Sequence, residues 1–308
     1  MSEAVKIPDC PRGIAQRGST ASRRISSPHK RREQEERLRA ALVQLGRLND
    51  EALERIAEVQ KQTNTPFTRA ASRLGLVTRD DVETAMGVQY GLIHEGEGEG
   101  CLPENLVMVR RPKSRQAEEF RRLRARLLTA KEADKKSLFA MASVGTAVAA
   151  VDHIALNLAA SFAQLGKRTL IVDADLRAQR LARRFHLGAS PGLREALAGD
   201  CDTRDAVRSS IIKNLSVLPS GSPAADGHEL LSGDRLRLTL EYLRCAFDIV
   251  IVMTAPFGRI ADAQFIWTVS GAVFTVARRH HDRLPQLREL NSALRQVDAS
   301  IIGAALAG

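Results

Sequence analysis

Short apolar segments separated by longer amphipathic stretches make up the second half of the chain. The apolar segments read SLFAMAS, KRTLIVDAD, NLSVLPSG, FDIVIVMTAP, GAVFTVAR and ASIIGAALAG. Continuous runs of this length predict strands that are buried on both faces, as in parallel sheets. Stretches such as 227–245 and 284–297 lie between them and predict helices. The alternation predicts an α/β fold with a doubly wound, mostly parallel sheet.

An internal repeat precedes this region. The segment LRAALVQLGRLNDEALERIAEVQ aligns with FTRAASRLGLVTRDDVETAMGVQ at a constant offset of 29 residues. Each copy predicts a helix ended by glycine, a short turn, and a second helix that starts at Asn49 or Thr78. Thr78 with Asp81 resembles a capping box in which Asp replaces the usual Glu. Each helix pair has one apolar face, so the two copies are expected to cover each other.

Shifts in composition predict four parts of the chain. Residues 1–32 are polar and basic, contain few large apolar residues and predict a disordered tail. Residues 33–92 hold the helical repeat module. Residues 93–130 hold a Gly/Glu-rich linker and a strongly charged helix, and 131–308 hold the α/β domain.

Charge and cysteine content narrow the function classes. The net charge of +10 is compatible with nucleic acid, an anionic membrane or an acidic partner, and equally with an Arg-rich composition. Basic residues are not interleaved with aromatic residues, so no specific nucleic-acid site is predicted. The four cysteines lie far apart without metal-binding spacing, and no apolar run is long enough to span a bilayer. These features predict a protein of the reducing cytoplasm.

Several motifs in fixed order resemble one family. They read EEFRRLRARLL, LIVDADLR, PGLREALAGD, NLSVLPSGSPAADGHELL and FDIVIVMTAPFGRIADAQ. Over 112–308 the chain resembles the bacterial tyrosine autokinases of polysaccharide export, which belong to the deviant P-loop class. The resemblance implies a P-loop fold, protein-tyrosine kinase activity with ATP and Mg in active relatives, and docking on a membrane polysaccharide co-polymerase.

The repeat resembles a different domain, the small N-terminal domain of type II secretion ATPases and related proteins. Some members of that group bind cyclic di-GMP through an Arg-Leu-Gly start in each copy. The corresponding residues here read RLR at 37–39 and PFT at 66–68, so both glycines and one arginine are missing. This departure favours a protein-docking module over a cyclic dinucleotide site.

The phosphate loop that the resemblance implies is degenerate. Such a loop needs glycines for close backbone approach, a lysine for the phosphates and a hydroxyl for Mg. Residues 137–166 contain no Lys or Arg. One register, anchored on 157–159, puts Val151 at the lysine and Asp152 at the hydroxyl. The other register puts Ala150 at the lysine and Val151 at the hydroxyl.

The remaining motifs of the site are also incomplete. The Walker B sequence Asp-Thr-Pro-Pro reads MTAP here, and the thioether of Met253 is too soft a ligand for Mg. Asp173 and Asp175 form a retained acidic motif, read either as a vestigial cofactor-binding pair or as a cap on the following helix. The sequence has two tyrosines, Tyr90 and Tyr242, whereas family kinases phosphorylate a tyrosine-rich tail. No catalytic residue, cofactor or metal is therefore expected.

The charged helix before the α/β region carries the motif Glu-x-x-Arg-x-x-Arg as Glu118, Arg121 and Arg124. In the family this helix packs against a neighbouring subunit, so the resemblance implies an interface. A solvated helix face with Glu–Arg pairs is the alternative interpretation.

These predictions combine into one functional hypothesis and two rivals. The first is a catalytically inactive tyrosine-autokinase homologue, a cytoplasmic scaffold or regulator of exopolysaccharide biosynthesis and export. Its partners would be a co-polymerase at the inner membrane, an active kinase paralogue or further copies of itself. The rivals are a weakly active kinase or ATPase that uses Asp173 and Asp175, and a partition-type protein that binds DNA or membrane.

Overall fold

A computed structural model describes residues 5–6, 28–89, 92–93, 101–134, 137–145, 147–188, 191–224, 227–258 and 262–308. The chain divides into two compact units. One comprises Cys10–Gly96, and the other comprises Met1–Asp9 with Glu97–Gly308. The tail predicted over 1–32 falls outside the described residues except for a two-residue strand, β1 (Val5–Lys6), and the start of a helix at Pro28.

The first unit is helical. Its described helices are α1 (Pro28–Gln44), α2 (Asp50–Thr63), α3 (Phe67–Arg73) and α4 (Arg79–Gln89). Helix α1 contacts α4, and α2 contacts α3, so each copy of the repeat packs against the other. The side chains of Leu42, Ile56 and Phe67 are almost completely buried between them. The apolar faces of the two copies therefore cover each other, as the repeat predicts.

The turns of the two copies share one hydrogen-bonding pattern. Gly46 and Gly75 end the first helix of each copy with φ of 63° and 67°, where a side chain would be strained. The residue after each glycine donates its N–H to the carbonyl five positions earlier, at 3.0 Å and 3.1 Å. Asp81 Oδ2 accepts from Thr78 N–H at 2.9 Å, and Thr78 Oγ1 accepts from Asp81 N–H at 3.2 Å. The predicted capping box is present.

A fragment of residues 28–93 is expected to fold by itself, because its buried apolar side chains contact one another within the repeat. Its circular dichroism should be helical, with a cooperative melt. Ile56→Ala should lower the melting temperature strongly, since truncating a buried Ile costs about 2–5 kcal/mol. Glu58→Ala, at an exposed position of the same helix, is the control. A coil spectrum for the unmodified fragment would contradict this prediction.

The second unit is built on one sheet. Its described strands are β1, β2 (Leu138–Ser143), β3 (Thr169–Asp173), β4 (Arg208–Ser209), β5 (Leu215–Leu218), β6 (Ile249–Met253), β7 (Ala272–Arg278) and β8 (Ser300–Ala307). They pair in the order β1-β8-β7-β2-β6-β3-β5-β4. Of these strand pairs, β4–β5 is antiparallel and the others are parallel. The predicted doubly wound, mostly parallel α/β fold is confirmed.

Helices pack on both faces of this sheet. They are α5 (Val107–Arg110), α6 (Arg115–Asp134), α7 (Val148–Ala163), α8 (Arg180–Phe185), α9 (Leu193–Ala198), α10 (Thr203–Ala206), α11 (Gly227–Ser232), α12 (Asp234–Ala246), α13 (Asp262–Ser270) and α14 (Leu284–Gln296). The single helix predicted over 227–245 is two helices, because Gly233 is extended and starts α12 as its N-cap. None of the helices in the described part of the chain has the length and apolar character needed to cross a membrane.

The segment before β2 belongs to the α/β unit. Met108 N–H donates to Asn157 Oδ1 of α7 at 3.0 Å. Helix α6 contacts α7 and buries Phe120 and Leu123. The boundary expected at residue 131 therefore falls inside this unit.

The centre of the sheet determines where a site can form. Strands β2, β3 and β6 are neighbours and are buried at every residue. Because they are parallel, their carboxyl ends meet at one edge of the sheet. Ligands of open α/β folds bind at this edge.

Candidate functional site

The site begins where β2 turns into α7. The chain passes through Val144 and Gly145, and Gly145 has a φ of 54°. Phe257, which follows β6, donates its N–H to Ser143 O at 2.8 Å and forms a bridge with Val144. Helix α7 then starts at Val148 without a side-chain cap. This is the position of a phosphate loop in the fold.

Residues at the predicted phosphate-binding positions carry the wrong chemistry for phosphate. Val151 is 1% exposed and belongs to the core, and Ala150 is part-buried. Asp152 is 5% exposed, so a carboxylate is buried at the start of α7. Met253, the Walker B position, is fully buried at the end of β6 beside Asp173 of β3.

The guanidinium of Arg180, the first residue of α8, lies at the centre of these groups. Its Nη1 is 3.2 Å from Asp152 Oδ1, and its Nη2 donates to Thr254 O at 2.8 Å. Its Nε lies 3.7 Å from Asp173 Oδ1 and 3.9 Å from Asp175 Oδ2. The side chain is 4% exposed. One buried cation therefore faces three carboxylates.

Helix α8 contributes two more arginines to a cavity that also includes Val148 and Ala149. Arg184 Nη2 lies 3.3 Å from Asp152 Oδ2, and this arginine is 37% exposed. Arg183 is exposed, and its Nη2 donates to Ala178 O, just before α8. Arg180 and Arg184 are one helical turn apart, so both reach the same carboxylate.

Asp173 fixes the start of α8. Its Oδ2 accepts from Leu181 N–H at 3.0 Å, and its Oδ1 accepts from Asp175 N–H at 3.3 Å. Burial raises the pKa of Asp173, against the opposing effects of Arg180 and these amide hydrogen bonds. The contact with Leu181 is the helix-capping role that the sequence offered as the alternative to cofactor binding.

A further buried carboxylate, Asp262 of α13, joins the loop after β3 to α11. Its Oδ2 lies 2.5 Å from Arg177 Nη1, and its Oδ1 lies 2.9 Å from His228 Nδ1. Asp262 is 3% exposed, and these two partners satisfy its buried oxygens. Arg177, His228 and Asp262 all lie within motifs that carry the family resemblance, but none of them was predicted from the sequence as a site residue.

A further cavity is lined by residues that include Gln179, Gly188, Glu195 and Gly221. Glu195 Oε2 accepts from Gly192 N–H at 2.8 Å, and Oε1 accepts from Ser222 N–H at 3.0 Å. Burial acts to raise the pKa of Glu195, but these hydrogen bonds outweigh it and hold the pKa below its ordinary value. The carboxylate thereby joins the two turns that frame the cavity.

The three residues predicted to form an interface divide into two groups. Arg124 Nη1 donates to Ser161 O at 2.6 Å in the last turn of α7, and burial lowers the pKa of Arg124. Arg121 Nη2 donates to Pro112 O at 2.6 Å, and its Nη1 lies 3.3 Å from Glu118 Oε2. The side chains of Glu118 and Arg121 are 52% and 32% exposed. Arg124 thus supports the fold, while Glu118 and Arg121 remain accessible.

ATP and Mg do not fit these residues. The phosphate loop offers no lysine, and its buried carboxylate would repel phosphate. The space among Asp152, Asp173 and Asp175 already contains the Arg180 guanidinium. Within the described residues, no group of three or more His, Cys, Asp or Glu side chains is arranged to hold a metal ion.

Comparison by sequence points to one kind of enzyme, although no family model matches the chain. The chain is 31% identical over 208 residues to tyrosine-protein kinase YwqD of Bacillus subtilis (strain 168), covering 67% of this chain and 87% of YwqD. It is 33% identical over 150 residues to tyrosine-protein kinase ptk of Acinetobacter johnsonii, covering 49% of this chain. The match spans only 20% of the longer ptk.

Comparison by structure agrees. The crystal structure of the chimerical protein CapA2B2 matches with a TM-score of 0.62 and 27% identity, over 75% of this chain and 98% of that one. The kinase domain of Escherichia coli tyrosine kinase ETK matches with a TM-score of 0.62 and 28% identity, over 66% and 79%. The sheet order and the carboxyl-edge site define a P-loop-type α/β protein. The chain belongs to the bacterial tyrosine-protein kinase family.

Proposed function

We propose that this chain is a catalytically inactive tyrosine kinase homologue that acts as a cytoplasmic scaffold or regulator in exopolysaccharide biosynthesis and export. The observation that carries the proposal is the buried ion pair between Asp152 and Arg180 at the phosphate loop, with 3.2 Å between Nη1 and Oδ1. This ion pair is a second reason to expect no catalysis, beside the absence of a lysine from the phosphate loop.

The electrostatics of phosphoryl transfer support this proposal. Catalysis of that reaction consists almost entirely of positioning and of neutralising phosphate charge with cations. At this site the buried cation is engaged by Asp152, Asp173 and Asp175, so its charge is not available to a triphosphate. Met253 provides no carboxylate for Mg at the end of β6.

The proposed role places function on surfaces away from the phosphate loop. Glu118 and Arg121 are accessible on α6, and the helical unit is a separate compact unit suited to docking. Partners of the scaffold would be a membrane polysaccharide co-polymerase, an active kinase paralogue or a further copy of the chain. Binding to such a partner would bring the protein to the inner membrane.

Calorimetric titration of the full chain with Mg-ATP tests the proposal. We expect no measurable binding at sub-millimolar nucleotide, because the phosphate loop has no lysine and the buried cation, Arg180, is already paired with carboxylates. The kinase domain of E. coli ETK, handled identically, is the positive control.

Micromolar binding of Mg-ATP that Asp173→Asn abolishes would overturn the proposal and favour a weakly active kinase or ATPase. The amide keeps an acceptor oxygen for Leu181 N–H, so loss of binding in this variant would not reflect the loss of the α8 cap. Tight, strongly salt-dependent binding to DNA or anionic vesicles would favour the partition-type alternative.

A further inference from the structure

We infer that Arg180 is a built-in cation of the carboxyl-edge site and performs the structural role that a metal ion would otherwise have there. The inference rests on the proposed function, since it explains how the site is held together without a ligand. It concerns the ion pairs that Arg180 forms with Asp152, Asp173 and Asp175, in the place where Mg-ATP does not fit.

The guanidinium joins four segments that meet at the sheet edge. Asp152 comes from α7, Asp173 from the end of β3, Asp175 from the following loop, and Thr254 from the loop after β6. Contacts to these separate segments hold the edge together, as ligands around a central ion do.

The Nε group shows that charge rather than hydrogen bonding governs part of this arrangement. Nε is buried and has no hydrogen-bond acceptor among the described residues. It lies between Asp173 Oδ1 at 3.7 Å and Asp175 Oδ2 at 3.9 Å. An arginine suits such a position because its guanidinium stays protonated and donates in several fixed directions.

Helix α8 delivers Arg180 to this position. Asp173 Oδ2 accepts from Leu181 N–H, the residue directly after Arg180, and so fixes the first turn of the helix over the carboxylates. The neighbouring Arg184 meets the same Asp152 but is 37% exposed, against 4% for Arg180. The two arginines therefore form a matched pair in which only one is buried.

Melting temperatures of the full chain test the inference. Arg180→Gln should lower the melting temperature by about 10 °C, because it leaves buried carboxylates without a cation. Arg184→Gln should lower it by at most about 3 °C, because that pair is partly solvated. Millimolar MgCl2 should not shift the melting temperature of the unmodified chain relative to NaCl at the same ionic strength.

A double variant keeps the test decisive if Arg180→Gln does not fold. Arg180→Gln with Asp152→Asn removes one carboxylate together with the cation, so it should recover part of the lost melting temperature, or fold where the single variant does not. The inference is overturned if Arg180→Gln melts like the unmodified chain, if the double variant is no better than the single one, or if MgCl2 stabilises the unmodified chain. Each of these results can occur while Mg-ATP still fails to bind, so the proposed function is tested separately.

Discussion

A chain carrying Glu118→Arg together with Arg121→Glu is expected to weaken the proposed self-association, or the proposed association with an active paralogue, by a factor of about 100. A loss of about 3 kcal/mol in binding free energy corresponds to that factor. Its melting temperature should fall by about 5 °C while the chain stays folded, because Arg121→Glu also removes the hydrogen bond from Arg121 Nη2 to Pro112 O. The measurement is light scattering over a range of concentrations, with a pull-down for the paralogue.

The exchange distinguishes the charge pairing within α6 from the pairing of α6 with a partner surface. Glu118 and Arg121 are three positions apart, and Glu118 Oε2 lies 3.3 Å from Arg121 Nη1, so the exchanged pair remains oppositely charged within α6. A partner surface that complements the original order then meets like charges on both residues. Like charges opposed across an interface cost several kcal/mol.

Arg124 must be left out of this exchange, although it belongs to the same motif. Arg124→Glu would remove the hydrogen bond to Ser161 O and set a negative charge at the carboxyl end of α7. A loss of about 2–3 kcal/mol is expected for a hydrogen bond from a charged group.

Arg126→Glu, at an exposed position of α6, is the matched control for the exchanged variant. Unchanged association of the exchanged variant would leave α6 as a solvated helix face.

Gly192→Ala is expected to destabilise the α/β unit by about 3 kcal/mol or more, through overpacking of backbone against backbone. A Cβ at this position would lie 2.7 Å from Gly221 Cα and still closer to Pro219 O and Gly221 N. None of these atoms can move as a side chain can. Leu193 N–H donates to Pro219 O at 2.8 Å, so the two turns cannot separate without losing hydrogen bonds.

The control for this substitution lies in the same cavity. Gly188 also lines it, but a Cβ there would meet nothing within 4 Å. Gly188→Ala should therefore leave the chemical denaturation midpoint nearly unchanged, whereas Gly192→Ala should lower it clearly. Equal midpoints for the two variants would show that the turns at Gly192 and Gly221 are looser than their hydrogen bonds suggest.

Local patterns predicted much of the fold. The central strands are buried on both faces, so β3 and β6 appear in the sequence as unbroken apolar runs. The turns of the repeat were visible because Gly46 and Gly75 recur at the same offset. The break at Gly233 was missed because one glycine between two amphipathic stretches resembles a tolerated helix glycine.

The ion pairs of the site join residues that are far apart in the sequence, so local patterns could not predict them. Arg180 lies 28 residues from Asp152, and Asp262 lies 34 residues from His228. The direction of α8 depends on Gln179, whose φ of 45° is unusual for a residue with a side chain. One signal was available. Asp152 stands in a long apolar stretch, 137–166, that contains no Lys or Arg, and a buried carboxylate of that kind requires a cation from elsewhere in the fold.

Arg180 is part of the polypeptide, so the cation at this site cannot dissociate when nucleotide or metal concentrations in the cell change. A bound nucleotide or metal ion leaves a site when its concentration falls, and mass action then destabilises the bound form. A guanidinium at the start of α8 has no free concentration to fall. The carboxyl edge of this sheet should therefore keep one conformation through starvation and energy depletion. An assembly built on it would depend on how much of the chain is synthesised and would be insensitive to the supply of ATP.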